Sequence, residues 1–488
     1  MIAYTNKIPF VIACMLFLFP WNTYAQGQDE IPEYATVLSK FIQYPSETYK
    51  EKEAALFLKD FCEQKGFVTE VLIDEDTAYN FAASIYPLSS GKPNIIFFSH
   101  IDVVPPGDLS AWKFPPYSGT IHDGLVWGRG AIDCKGMTIS QLFSMINIKE
   151  WADTLDLPFN VTLLPVTGEE TDGFTGAKPI SEQFVGKLNP VVMLGEGGGG
   201  LKGVIKSQPE KPVFGISTIE KTKLTLNLTM NMKASGHGSV TPDEYAGKEM
   251  IFALQRLLKE EPEIKFSPLN AKGLKKLGKY EKGLKGFVQR NATFFCFRPL
   301  IKKEIRKDPE LMSFFTNTIT LTDIHVPEPE HNQVIQEIRA TLDCRLMPGT
   351  NPNAFIRQIK RSLKDSRIEV ETLYEIEAIP QIDAPDLFGN LAEAIEEVYP
   401  DALVVEMLFP ATTDNNFFRA KNIPVMGLFP AICEQDELNS IHNVNERIQI
   451  RSMSDAIEVY TNFAENMMFK EEEKKRRRLL KRIRNKED

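Results

Sequence analysis

Positive charge is in short supply. Lys and Arg number 56 against 66 Asp and Glu, a formal net charge of −10 over 488 residues. Phosphate binding needs a basic footprint, so nucleic acid is excluded as the main partner. A disulfide framework is missing as well. Beyond Cys14 the chain holds Cys62, Cys134, Cys296, Cys344 and Cys433, an odd, scattered set that reads as buried small hydrophobes. There is no run long enough for a stable membrane span. The N-terminal run Ile8–Trp21 follows a single charge, Lys7, and precedes the small-residue site Thr23-Tyr24-Ala25. That pattern marks a signal peptide over residues 1–25 and an exported protein, periplasmic or secreted. Lipidation at Cys14 is set aside, because cleavage there would leave Met15–Trp21 as an apolar terminus.

What is present is enough apolar sequence, 43% of residues, for a large core and more than one domain. Glu30–Tyr49 and Lys50–Lys65 are spaced as helices, and Phe67–Ile73 and Asn80–Tyr86 as strands. Asn94–Ser99, Asn160–Val166, Val191–Leu194 and Ile423–Phe429 are continuous apolar runs, the mark of strands buried on both faces of a parallel sheet. Helical patterns such as Lys135–Lys149 separate them. The expected fold class is α/β, a mostly parallel sheet with helices on both faces.

Past Lys221 the texture changes. Leu224–Met230 and Ile338–Leu346 alternate, as in an antiparallel sheet with one wet face, and Asp243–Lys259 and Asn353–Leu363 read as helices. The expected organisation is a catalytic domain split between residues 26–220 and 378–470. An α+β lid or dimerisation domain, 221–377, is inserted in it, and a basic tail, 471–488, follows as a solvated helix end. Within the Lys-rich stretch Phe266–Phe315, the aromatics Phe287, Phe294, Phe295 and Phe297 are assigned to packing of the lid in preference to an acyl pocket.

The buried runs end in acids and histidines. Asn94–Ser99 leads into His100 and Asp102, Asn160–Val166 into Glu169 and Glu170, and Val191–Leu194 into Glu196. Carboxyl ends of parallel strands share one edge, where ligands bind. Asp133, in the Gly-rich turn Trp127–Gly136, and His442, after the last core strand, belong beside that edge. Such a cluster without a thiolate suits hard or borderline divalent ions, zinc foremost, with cobalt and manganese as substitutes. The ligands oversupply one ion, so two ions sharing Asp133 are expected. His100 with Asp102 fits a ligand and the group that orients it. Of the consecutive Glu169 and Glu170, one binds metal and the other faces the attacking water as general base.

Eight segments, SHIDVVP (99–105), GRGAIDCKG (128–136), TGEE (167–170), LGEGG (194–198), SGHGSVTP (235–242), TLDCRLMPG (341–349), TTDNNFF (412–418) and IHNVNERI (441–448), resemble in this order the co-catalytic zinc peptidases. That family includes carboxypeptidase S, aminoacylase, acetylornithine deacetylase and the bacterial glutamate carboxypeptidase. The chain is most similar to the carboxypeptidase S branch, which includes secreted hydrolases of N-fatty-acyl amino acids. The resemblance implies that His100, Asp133 and Glu196 hold one zinc and Asp133, Glu170 and His442 the other. It also implies Glu169 as general base, Asp102 as the orienter of His100, and a cis Asp133–Cys134 bond. His237 would stabilise the oxyanion, reaching across from a partner subunit or after closure. Arg345 would clamp a substrate carboxylate, with Asn332 beside it.

The resulting expectation is a di-zinc hydrolase that cleaves an amide bond beside a free α-carboxylate, in a short peptide or an N-acyl amino acid. It would act as a monomer or as a homodimer through the lid. A biosynthetic deacetylase is disfavoured by export. A binding module with a structural metal is the alternative from another class, and the unliganded Glu169 argues against it.

Overall fold

The computed structural model describes residues 30–469 except 234–236, 293, 328–331, 377–378 and 380. The expected signal peptide and basic tail lie outside the described residues. In chain order the first sheet receives β1 (Val68–Glu75), β2 (Ala78–Ser84), β3 (Asn94–His100), β4 (Asn160–Val166), β5 (Pro190–Gly195), β6 (Gly199–Leu201) and β7 (Val213–Glu220). A second sheet takes β8 (Thr222–Asn231), β9 (Thr318–His325), β10 (Glu337–Leu346) and β11 (Ile368–Glu375), and the chain then returns to the first with β12 (Leu403–Phe409) and β13 (Val425–Gly427).

The first sheet runs β1-β2-β4-β3-β5-β13-β7-β12, with β6 on β7. β3 is parallel to β4 and β5, β5 to β13, and β7 to β12. The pairs β1–β2, β2–β4, β6–β7 and β13–β7 are antiparallel, so the parallel part holds the centre. Every residue of β3 and β4 is buried, which is why each carries an unbroken apolar stretch, Ile95–Phe98 and Leu163–Val166. The run Ile423–Phe429 supplies only the three residues of β13, because Pro424 and Pro430 flank it and lack the N–H a ladder needs. β7 and β12 escaped the sequence reading.

Helices Glu33–Ile42, Lys52–Gln64, Lys135–Ala152, Pro385–Val398 and Ile450–Met468 share one apolar core with one face of this sheet; Ala177–Gln183 and Phe418 cover the other. Lys135–Ala152 is the central one. Residues on all of its sides are buried from Lys135 to Leu142, which fixes Asp133 two residues before its start. The second sheet, β9-β10-β8-β11, is antiparallel throughout. Its inner face packs on helices Ala246–Leu258 and Pro352–Leu363. The latter starts where Pro352 pre-sets the first turn and the Asn351 side chain accepts from Ala354 N at 2.9 Å.

The stretch around Phe266–Phe315 folds into short helices with a small core of their own, including Leu274, Val288, Ile301 and Phe315. The first, Pro268–Leu277, lies on β12, where Lys272 pairs with Glu406 at 2.6 Å. Of the four aromatics assigned to lid packing only Phe297 joins that core; Phe287, Phe294 and Phe295 are exposed. Among the described residues no helix is long and apolar enough to cross a membrane.

Candidate metal centre

Three strand ends meet as the register requires. His100 at the end of β3 pairs with Val166 at the end of β4, and Phe97 with Leu194 of β5, so His100, Glu169–Glu170 and Glu196 emerge on one edge. His442 arrives from the other end of the chain. A small sheet of Thr120–His122, Leu125–Trp127 and Arg447–Gln449 ties its segment to the approach of Asp133.

Asp133 stands between two groups of side chains that could each hold a metal ion. Its Oδ1 is 2.9 Å from His100 Nε2, which is itself 3.3 Å from Glu196 Oε2. Its Oδ2 is 3.1 Å from His442 Nε2, which is 3.0 Å from Glu170 Oε1. Each carboxylate oxygen of Asp133 thus serves a different group, as a bridging ligand must. The Asp133–Cys134 peptide bond is cis. Cys134 also lies among the atoms that could hold an ion, but burial pushes its thiol well above the ordinary range and it donates to Met137 Sδ at 3.7 Å. The donors are therefore carboxylates and imidazoles, a set that fits two zinc-like ions.

Asp102 orients more than the imidazole. His100 Nδ1 donates to the Asp102 backbone carbonyl at 3.0 Å and lies 3.4 Å from Oδ1. The Asp102 carboxylate accepts from Glu169 N and Glu170 N, both at 3.1 Å, and from Thr48 Oγ1 at 3.2 Å. It therefore sets the turn that carries the two glutamates. Gly168 opens that turn at φ 76°, and a Cβ there would sit 2.1 Å from Thr175 Oγ1, so only glycine fits.

The electrostatics need cations. Burial, reinforced by the Glu196 charge, pushes the Glu169 carboxyl well above its usual range. Glu196 is raised by burial against the pull of His100, and Asp414 by burial and the Asp102 charge. Burial alone would also raise Asp133, but its bonds to His100 and His442 hold it below its ordinary value. The bonds to Asp133 and Glu170 push His442 up to about 10. Buried carboxylates outnumber the imidazoles that compensate them, a surplus that divalent ions remove.

Sequence reasoning missed Glu446. Its carboxylate is fully buried and accepts from Arg129 Nη1 at 2.8 Å, Gly130 N at 2.9 Å, Ile132 N at 2.9 Å and Asp133 N at 3.1 Å. It grips the loop of the bridging aspartate from four residues past His442. Lys221 was missed too: burial and the Arg345 charge lower it to about 8, and its Nζ has no hydrogen-bond partner among the described residues.

The lid residues are not brought onto the metal ligands. His237 is exposed; its Nδ1 accepts from Ser239 N at 3.2 Å and lies 2.8 Å from Ser239 Oγ, which leaves Nε2 to carry the proton. Gly238 N donates to Asn332 O at 2.6 Å, so His237 and the exposed Asn332 are neighbours. The Arg345 fork is engaged by Asp343, Nε to Oδ1 at 2.8 Å and Nη2 to Oδ2 at 3.0 Å.

Comparison with known proteins gives the setting. The sequence model of Peptidase family M20/M25/M40 matches residues 96–466. Probable carboxypeptidase S-like 2 of Dictyostelium discoideum is 24% identical over 455 residues, 90% of this chain and 81% of that protein. N-fatty-acyl-amino acid synthase/hydrolase PM20D1 of Mus musculus is 25% identical over 458 residues, 90% of this chain and 89% of that protein. Among solved structures, the M20 family metallo-carboxypeptidase Sso-CP2 from Sulfolobus solfataricus superposes with a TM-score of 0.65 at 20% identity, covering 89% of this chain and 98% of its own.

Proposed function

The chain belongs to Peptidase family M20/M25/M40 and is a metallohydrolase of the carboxypeptidase, dipeptidase or acylase kind, and from that premise we propose an exported di-zinc enzyme that cleaves an amide bond beside a free α-carboxylate. The observation that carries the proposal is the pair of ligand groups that share Asp133, three residues each once the Cys134 thiol is set aside. His100, Asp133 and Glu196 hold one ion, and Asp133, Glu170 and His442 the other, with zinc first and cobalt or manganese as substitutes. When bound, such ions polarise the scissile carbonyl and acidify water.

The chain's own residues do the rest. Glu169, raised by its burial and by the charges of Glu196 and Glu170 close by, would use its carboxylate to take a proton from the attacking water and return it to the leaving amine nitrogen. Asp102 fixes the Glu169 backbone and the His100 ring. His237 Nε2–H is the donor for the oxyanion, delivered when the lid closes or from a partner subunit in a homodimer through the lid. Arg345, with Asn332, clamps the substrate carboxylate once it leaves Asp343.

The substrate is a short peptide or an N-acyl amino acid. Carboxypeptidase S-like and N-fatty-acyl-amino acid hydrolase relatives of similar identity support both classes. The test is purified, zinc-loaded protein assayed against dipeptides and acetyl- to oleoyl-amino acids, with a chelator control. Glu169→Gln should abolish turnover while metal content and melting temperature persist. Activity unaltered in that variant would remove Glu169 as the base, and metal-loaded wild-type protein that turns over none of these substrates would leave the binding module as the better reading.

A further inference from the structure

The short helices on β12 carry a surface that catalysis does not use. From Lys272 to Lys307 there are twelve Lys and Arg against two Glu, in a chain whose net charge is −10. On the same segment the structure exposes large apolar side chains: Phe295 at 83%, Leu284 at 71%, Phe294 at 59%, Leu300 at 49% and Phe287 at 47%. They form one patch. Leu284 and Phe287 are one turn apart on the helix Gly283–Arg290, and Phe294, Phe297 and Leu300 follow at the same spacing. The Phe287 and Phe297 rings, 5.4 Å apart and perpendicular, join the two halves.

Five lysines on this segment, Lys275, Lys279, Lys282, Lys302 and Lys303, make no ion pair among the described residues. Exposed aromatic and leucine side chains in a field of unpaired lysines match the interface of an anionic bilayer, where rings enter the headgroup boundary and ammonium groups meet lipid phosphates. A protein partner would need its own acidic, apolar complement. A second copy pairing symmetrically through this face brings the same lysines and is repelled. We propose that this face, from Lys275 to Lys303, docks on an anionic lipid surface, with Phe294 and Phe295 as the inserted tip.

Cys296 reports on that tip without engineering. It is exposed, whereas Cys62, Cys134, Cys344 and Cys433 are buried. The full chain is treated with a water-soluble maleimide, and modification of Cys296 is followed by peptide mass mapping, so labelling elsewhere does not interfere. Vesicles of phosphatidylcholine with about 30% phosphatidylglycerol should slow that modification about tenfold. Pure phosphatidylcholine vesicles should leave the rate within about twofold. Replacing Phe294→Ser and Phe295→Ser together, or Lys282→Glu, Lys302→Glu and Lys303→Glu together, should remove the protection while the melting temperature holds, since these side chains are largely outside the core. An unchanged rate on anionic vesicles overturns the proposal. So does equal protection by neutral vesicles, and so does protection that rises with protein concentration in the absence of lipid, which would identify a second copy as the occupant.

Discussion

Glu446→Gln tests whether the bridging aspartate is held in place by the segment that also brings His442. Glu446 Oε2 serves Arg129 and Gly130 N, and Oε1 serves Ile132 N and Asp133 N. A glutamine is isosteric but offers one acceptor oxygen. Its NH2 must face two N–H donors, whichever way the amide turns. One pair of donors is left unsatisfied, and Arg129, 2% exposed, keeps a buried charge without its partner. Removing one member of a buried pair costs about 3–5 kcal/mol, a large part of a typical folding stability of about 5–15 kcal/mol. The Asp133 loop should loosen before the whole fold does, so metal affinity should fall about 10- to 100-fold, the range for loss of a group that orients ligands. Chemical denaturation of the metal-free protein and metal stoichiometry after dialysis measure the two effects. Adding Arg129→Met to the variant removes the orphaned charge and should restore part of the stability but not the metal affinity, because the backbone donors stay unpaired. A stability loss under about 1 kcal/mol with full metal content in the single variant would refute the reasoning.

Gly168→Ala should cost at least about 2 kcal/mol and most of kcat, because φ 76° and the 2.1 Å approach to Thr175 Oγ1 displace the turn bearing Glu169 and Glu170; wild-type activity would show that the turn tolerates a side chain. Loading the metal-free protein at pH 7 should release protons from both imidazole ligands: His442, held near 10 by Asp133 and Glu170, and His100, raised against its burial well above its ordinary value by the Glu196 charge. Calorimetry in buffers of different ionisation heat detects the release, which should fall by about one proton in His442→Asn. Lys221, lowered to about 8 by burial, favours the folded state fully only above the unfolded lysine value of about 10.4 and loses that contribution as the pH falls through 8. Wild-type stability should therefore rise from pH 8 to 10 by about 2–3 kcal/mol relative to Lys221→Met, and parallel pH profiles would count against it.

The parallel centre of the sheet was legible because strands buried on both faces carry unbroken apolar stretches, Ile95–Phe98 in β3, Leu163–Val166 in β4 and Val191–Leu194 in β5. β7 was not, although all its residues are buried: VFGISTIE holds a glycine, a serine and a threonine among its apolar residues, so it carries no continuous apolar signal. β12 pairs with β7 at the far edge and is only half covered. The same logic separates the site residues. His100, Glu170 and Glu196 stand where a buried run stops, and there a charged residue is conspicuous. Glu446 is invisible by that criterion, since it follows no strand and three of its four partners are backbone N–H groups, which any sequence supplies. Arg345 shows the converse. The clamp could be named from its motif, but its engagement by Asp343, two residues away on the same face of β10, is a property of rotamers that the motif does not encode.

The two ends of the chain meet at the centre through backbone as well as ligands. Gly128 N donates to Glu446 O at 2.9 Å, and the strand Leu125–Trp127 pairs with Arg447–Gln449. The segment that carries His442 is thus built onto the loop that carries Asp133, and neither is positioned by the central strands alone. His100 and Glu196, by contrast, ride on β3 and just past β5, inside the rigid sheet. One ligand group is therefore anchored largely by the sheet and the other by a loop-to-loop graft, with Asp133 common to both. A disturbance of the graft must weaken the Glu170–His442 group first and reach the His100–Glu196 group only through the shared carboxylate.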